Sequence, residues 1–330
     1  MITIASCNLF NFLAPPGAYY QFSNILTDNE WNKKTTWLTQ QLRAMNADVV
    51  AFQEVFSPDA LNTLTSDLGY PYFVCLDTPH VTDEFIYTKP VLAIASRWPV
   101  IESRLVRFKD CFGDYSENSD SVTDNKEFSR LPLHAVIELP NIGLCDVITL
   151  HLKSQRPTRW QTQQIDQADN TPPSDPVGSW LSSVQRGWEA VLLSQYIKKI
   201  YASHARPMVI KGDFNANINS TELKPLIDES NIPLLKDVRD WLREQPIFTD
   251  EAQKATHYHG SQGLILDYLL LSEEFAQQNA QQRGKITNLV VWDKHLVNPS
   301  FEVDQFASDH AFVAVTIDTL DTPNHWLDSR

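Results

Sequence analysis

Basic residues are scarce in this chain: 27 Lys+Arg stand against 41 Asp+Glu among 330 residues, for a formal net charge of −14. Phosphate affinity normally comes from Lys and Arg, so the imbalance argues against indiscriminate polyanion binding. An anionic substrate stays open, because bound divalent cations reverse the local field inside a carboxylate-rich cleft. Cysteine is scarce as well. Cys7, Cys75, Cys111 and Cys145 lie far apart in no metal-ligand spacing, which argues against a zinc site and implies no disulfide framework. Cys7 and Cys145 fall within apolar runs, where a thiol acts as a small hydrophobe. No stretch approaches the ~20 apolar residues that a membrane crossing needs. The start, Met1-Ile-Thr-Ile-Ala-Ser-Cys-Asn8, lacks the basic region and apolar run of a secretion signal. These absences set the expectation of a soluble, cytoplasmic protein with no membrane span. Without an internal repeat, a charge block or a linker, one domain over residues 1–330 is expected.

What the chain does have is core material, with 42% hydrophobic and 11% aromatic residues. Residues 2–9 alternate and read as a strand. Trp31, Lys34, Leu38 and Leu42 recur at helical spacing between Glu30 and Met45, predicting an amphipathic helix. Asp48 to Gln53 is a short apolar run, as expected of a strand buried on both faces. Ser57-Pro58-Asp59 opens a second helix with a hydroxyl, an N1 proline and an acid near the dipole's positive end. Further strands are expected at 71–76, 90–97, 100–107, 130–139, 144–151, 208–212, 264–271, 286–292 and 311–317. A long helix is expected at 183–203, with a stripe of Val184, Trp188, Val191, Leu192, Gln195 and Ile197, and a shorter one after Ser220. This alternation indicates a mixed α/β architecture. Residues 109–129 and 155–182 read as long loops or insertions, by their polar and Pro-rich composition.

Polar chemistry recurs at strand edges. Gln53-Glu54, His151-Leu-Lys153, Gly212-Asp213-Phe-Asn215 and Asp309-His310 each adjoin an apolar run, and Asp267 interrupts another. Carboxylates and imidazoles are costly to bury unpaired, so several at strand ends suggest one shared site. Glu54 suits a hard cation such as Mg²⁺, which takes oxygen ligands and typically only one or two carboxylates. His151 shares a strand face with Lys153, a pairing that favours contact with an anion. Asp267 needs a partner, and a histidine is a natural one because a carboxylate fixes its tautomer and raises its basicity.

Taken in order, Asn8, Gln53-Glu54, His151, Gly212-Asp213-Phe-Asn215, Asp267-Tyr268 and Ser308-Asp309-His310 resemble the endonuclease/exonuclease/phosphatase superfamily of metal-dependent phosphoesterases. The resemblance spans nearly the whole chain, and Gly-Asp-x-Asn and Ser-Asp-His are its most specific elements. It implies a four-layer α/β/β/α sandwich of two packed mixed sheets, with the site at one end. It implies Mg²⁺ or Mn²⁺ held by Glu54, with Asn8 nearby and Asp309 contributing. Asp213 would orient or deprotonate the attacking water, and Asn215 would help hold the phosphate. His310, paired with Asp267, and His151 would serve phosphate oxygens or the leaving group. The pattern departs from the pancreatic-type deoxyribonuclease at Phe56, where that enzyme carries a groove-binding arginine. It departs again before Val91, where Thr88-Lys89-Pro90 offers no acidic partner for His151.

The substrate expected is a phosphate ester, with nucleic acid leading. Lys153, Arg156 and Arg159 follow His151 together with Trp160, and cations beside a stacking surface suit a single strand. Arg130 and Arg186 are further candidate phosphate contacts. The alternative is a phosphatase or phosphodiesterase for a small molecule or lipid headgroup, favoured by the acidic balance and the missing groove arginine.

Overall fold

The apolar runs assemble into two six-stranded mixed sheets. The computed structural model describes residues 1–113, 127–158, 175–244, 250–276 and 279–320. The first sheet has the order β16 (Gly284–Trp292), β17 (Phe312–Thr319), β1 (Ile2–Phe12), β3 (Val49–Val55), β7 (Val91–Ser96) and β4 (Tyr72–Val74). The second runs β12 (Leu235–Asp237), β15 (Asp267–Ser272), β11 (Met208–Asp213), β10 (Gly143–His151), β9 (Leu133–Leu139) and β8 (Val100–Leu105). Each sheet holds one parallel pair, β1 with β3 and β10 with β11, inside otherwise antiparallel neighbours.

Three apolar clusters fix the layer order. Ile4, Val49 and Val313 from the first sheet meet Ala135, Val147, Val209 and Leu269 from the second, forming the core between sheets. The other face of the first sheet, with Cys7, Phe52 and Phe312, packs under Trp37, Leu38 and Leu42 of helix α1 (Asp28–Met45) and Leu61 of α2 (Pro58–Asp67). The outer face of the second, with Ile148, Leu150 and Ile210, packs under Leu192, Leu193 and Tyr196 of α4 (Pro176–Ser203). Alternate side chains of one strand thus serve two different cores. The result is the expected α/β/β/α sandwich.

Small elements complete the rim: strands β2 (Ala18–Tyr19), β6 (Ile86–Lys89) and β5 (His80–Thr82) form one sheet, and β13 (His257–His259) and β14 (Gln262–Leu264) a hairpin. Short helices α3 (Phe108–Phe112), α5 (Lys224–Ile227), α6 (Val238–Arg243) and α7 (Lys294–Val297) lie between the longer elements. None of the described helices is long and apolar enough to cross a membrane.

Several sequence expectations need correction. The first helix starts at Asp28 because Thr27 and Glu30 form a capping box. Part of the expected loop 109–129 is helical, in α3, while 114–126 lie outside the described residues. The expected loop 155–182 ends early: α4 begins at Pro176, capped by Asp175, whose carboxylate accepts from the Gly178 amide. Residues 159–174, with Arg159 and Trp160, lie outside the described ones. The stripe on that helix is also turned. Val184 is exposed, whereas Ser182, Arg186 and Glu189 are buried, because these polar groups hold the chain that follows β10. The strand expected at 264–271 begins at Asp267, since Leu264 belongs to the hairpin and Thr256 Oγ1 accepts from the Leu266 and Asp267 amides.

Candidate active site

The ends of the two parallel pairs meet at one edge of the sandwich. Asn8 lies late in β1, Gln53 and Glu54 late in β3, and His151 and Asp213 close β10 and β11 in register. β15 and β17 run the opposite way, so their first residues, Asp267 and Phe312, reach the same edge and bring Ser308-Asp309-His310 with them.

Asp213 is the hub. One carboxylate oxygen accepts from Asn8 Nδ2 at 3.2 Å and faces His151 Nε2 at 3.4 Å and His310 Nε2 at 3.8 Å. The other accepts from the Asn215 amide at 2.8 Å. Gly212 makes this turn possible. Its φ is +146°, and a Cβ would stand 2.0 Å from the Leu150 carbonyl oxygen, so no side chain fits. Asn215, itself left-handed at φ +53°, gives an amide hydrogen to the Leu152 carbonyl. Burial raises the Asp213 carboxyl above the carboxylate range; His310 opposes the shift, and Asp267 and Glu54 add to it.

His310 is gripped on both sides. Its Nδ1 lies 2.8 Å from Asp267 Oδ2, its amide donates to Ser308 Oγ, and that hydroxyl donates to the Asn8 carbonyl. Burial disfavours an imidazolium here, yet Asp267, Asp213 and Asp309 outweigh it and raise its pKa, keeping the ring cationic at neutral pH. His151 behaves oppositely. Burial, Arg130 and His310 hold its pKa well below the usual value, so it is neutral. Its buried Nδ1 has no hydrogen-bond partner among the described residues, as the lack of an acidic residue before Val91 foreshadowed.

Glu54 and Asp309 lie near enough at this edge for the Glu54 charge to act on the Asp309 carboxyl. Glu54 has φ +61°, and its Oε2 accepts from the Asn11 amide at 2.9 Å. Burial, resisted by His310 and reinforced by Glu54, pushes the Asp309 carboxyl up to about 6. Asp309 Oδ1 and Asn11 Oδ1 are both buried without a partner among the described residues. Oxygen-only donors, mutually repelling carboxylates and orphaned oxygens fit a hard divalent cation.

Four contributors were not foreseen. Lys34 is buried behind these carboxylates; its Nζ donates to the Phe10 carbonyl, and burial draws its pKa down to about 8 against Glu54 and Asp309. Asn11 fixes Glu54. His257 bridges to His310 as an isolated β pair, with ring centroids 4.7 Å apart and Nε2 3.8 Å from Asp309. The ligand-type atoms of His257, Asp309 and His310 lie within 4.8 Å of one another, as do those of Asp213, Asp267 and His310, though a cationic His310 offers no lone pair to a metal. Tyr20 completes the rim, its hydroxyl acidity lowered by burial and then Glu54, and partly restored by Arg130 and Arg156. The signals were thin: Thr256-His257-Tyr258-His259 is a polar cluster, and Lys34 reads as a helix residue.

The four expected phosphate contacts divide. Arg130 donates to the His151 and Leu152 carbonyls at 3.4 and 3.3 Å, so it lies against the site. Lys153 and Arg156 sit on the chain just beyond, where Lys153 Nζ donates to the Arg156 carbonyl. Arg186 is not gathered with them as a free cation. Its guanidinium is buried and committed to the Lys153 carbonyl at 2.8 Å and to Glu222 at 2.7 Å.

Residues 5–310 match the Endonuclease/Exonuclease/phosphatase family. The chain belongs to that family of metal-dependent phosphoesterases. Its fold is similar to a humanised Danio rerio TDP2 carrying 14 mutations, at 16% identity, covering 96% of this chain and 99% of that one, with TM-score 0.58. The human Nocturnin catalytic domain with bound sulfate is likewise similar, at 16% identity over 97% and 94%, TM-score 0.59. So is a mannosyl-6-phosphatase of Bacteroides thetaiotaomicron, at 15% identity over 96% and 99%, TM-score 0.55. No curated protein sequence matches.

Proposed function

We propose that this member of the family is a phosphodiester hydrolase acting on nucleic acid by attack of water on phosphorus. The observation that carries the chemistry is Asp213, flanked by two imidazoles and the Asn8 amide, with the charge of Glu54 acting on both Asp213 and Asp309. Asp213, with its raised pKa, orients the attacking water and takes its proton. The cationic His310 donates from Nε2 to a phosphoryl oxygen, where charge accumulates in the transition state. Asp267 holds its Nδ1–H and so fixes the tautomer. Neutral His151 and Asn215 offer further hydrogen bonds to the phosphate or the leaving oxygen. Glu54, Asp309 and Asn8 are the residues that would hold Mg²⁺ or Mn²⁺, which would supply Lewis acidity there.

Nucleic acid is favoured by Arg130, Lys153 and Arg156, three cations grouped beside His151 in an otherwise acidic chain. A second reading, hydrolysis of a small-molecule or lipid phosphate ester, is favoured by the buried Phe56 standing where a groove arginine would reach. The test incubates the protein and Mg²⁺ or Mn²⁺ with labelled single- and double-stranded oligonucleotides, beside p-nitrophenyl phosphodiester and phosphomonoester. Strand cleavage is expected, reduced roughly 10²- to 10⁴-fold by Asp213→Ala. Turnover of the small esters alone would reject nucleic acid, and unchanged turnover in Asp213→Ala would reject the site.

A further inference from the structure

We infer that Tyr20, braced by Phe56 and flanked by Arg156, is the stacking seat for a nucleobase of a single-stranded substrate, beside the hydrolysed phosphodiester. This rests on the nucleic-acid reading above and names a residue and a strand form for it. The argument begins with backbone. Ala18 and Tyr19 pair with Ile86 and Tyr87, and the Tyr20 amide donates to the Tyr87 carbonyl at 2.8 Å. Tyr20 then turns left-handed, at φ +62°. A residue with a bulky side chain in that region is strained, and such strain gathers at functional sites. The turn leaves a large ring 38% exposed at the mouth of the site.

The ring is also held in place. Phe56 meets it edge-on at 5.9 Å and 82°, and Tyr87 backs Phe56 at 6.1 Å and 74°. Phe56 directly follows the Glu54-Val55 end of β3, so the aromatic stack is anchored to the strand that carries the metal-facing carboxylate. Arg156 Cζ lies over one face of the Tyr20 ring, 5.9 Å from its centroid, so the guanidinium and a stacked base would share the ring between its two faces. The charges that act on the Tyr20 hydroxyl are Glu54, Arg130 and Arg156, so the ring lies near that carboxylate and those cations. The loop carrying Lys153 and Arg156 is fixed by α4: Ser182 donates to the Arg156 carbonyl and Arg186 to the Lys153 carbonyl.

A π surface alone would suit an apolar chain, and cations alone would suit any phosphate. The two side by side suit a chain of planar bases on a phosphate backbone. An unpaired base offers its face to a ring; a base inside a duplex does not.

The test compares short oligothymidylate with an abasic strand of equal length, by steady-state kinetics and by fluorescence anisotropy in an Asp213→Asn background that blocks cleavage. Tyr20→Ala should raise KM and Kd for the thymidylate strand roughly tenfold, with kcat and abasic binding little changed, and Tyr20→Phe should behave as wild type. Arg156→Ala should weaken both strands alike and flatten the salt dependence. If Tyr20→Ala lowers the melting temperature markedly, Tyr20→Leu carries the comparison. Equal affinity for both strands in wild type, or equal loss on both in Tyr20→Ala, overturns the stacking seat while leaving the nuclease reading intact. Failure of the wild type to cut or bind any strand overturns both. Tyr20-dependent retention on phosphatidylcholine vesicles, with no effect on oligonucleotides, overturns the seat in favour of a lipid.

Discussion

Asp267 governs two titrations from one position. Its carboxylate, 2.8 Å from His310 Nδ1, stabilises the imidazolium, and the same charge raises the Asp213 carboxyl. Activity should therefore require Asp213 deprotonated and His310 protonated, giving a bell-shaped pH profile. Replacing Asp267 with neutral Asn lowers the pKa of both groups, so both limbs of kcat/KM should move to lower pH. The amide can also present its NH₂ to Nδ1 and select the wrong tautomer, so the maximum should fall roughly 10²- to 10⁴-fold. A pH series on purified Asp267→Asn checks this, and limbs that stay in place would separate His310 from the alkaline limb. This pairing was legible because a lone aspartate in Leu264-Ile-Leu-Asp267-Tyr268-Leu interrupts an apolar run and must find a partner. Lys34, Asn11 and His257 were not legible for the opposite reason. Each lies in a segment with an ordinary structural explanation, a helix face, a strand end or a polar hairpin, and only the tertiary meeting of Phe10, Glu54 and Asp309 gives it a part.

At the scale of elements, α4 ties down the chain beside His151 as well as covering the outer face of the second sheet. Glu189 accepts from the Ser129 and Lys153 amides at 2.7 Å each, and Arg186 donates to the Lys153 carbonyl, so one helix turn ties both chains that flank His151. Arg186→Met keeps the stem's packing and removes the tie, leaving the Lys153 carbonyl and Glu222 unpaired. The expected result is a rise in KM for oligonucleotides of several-fold, kcat nearly retained, and stability lower by about 1–3 kcal/mol. Chemical denaturation and steady-state kinetics on one preparation measure both, and a large loss of kcat with KM unchanged would contradict this role. Long elements with strong periodicity, such as α1, β3 and β10, were legible to within a few residues. The start of α4 was misplaced even though Asp175-Pro176 is a sound helix opening, because the Pro-rich stretch before it masked the signal. β2, β5, β6, β13 and β14 are two to four residues long, too short for any period to show, and pair with one another in two small sheets.

At the scale of the molecule, the two-sheet stack with a polar rim forces an unusual residue into its middle. Layer order itself was not readable from the strand tally; it followed from the family pattern, because apolar strands do not say which of their two faces meets the other sheet. Lys211 falls on the inner face of β11, in register with Thr149 and Leu269, and is fully buried. Its Nζ donates to the Val49 carbonyl at a long 3.4 Å, just below the rim where Ser6, Gln53 and Thr149 form a buried hydrogen-bonded chain. Burial draws its pKa from 10.5 down to about 7, against smaller opposing effects of Cys7 and Cys145. At 1.36 kcal/mol per pH unit, such a fall corresponds to a destabilisation on the order of 5 kcal/mol when the ammonium is forced in charged. Between about pH 7 and 10.5 the unfolded chain binds a proton that the folded one does not, so this destabilisation is complete below pH 7 and fades as pH rises toward 10.5. Lys211→Met matches the stem in length and removes the charge. It should therefore be more stable than wild type by a few kcal/mol at pH 6, with the gap closing steadily by pH 10. Urea denaturation of both proteins at pH 6, 8 and 10 reads the gap directly. A gap that is constant across that series would mean Lys211 stays charged inside the fold, stabilised by water or an anion between the sheets.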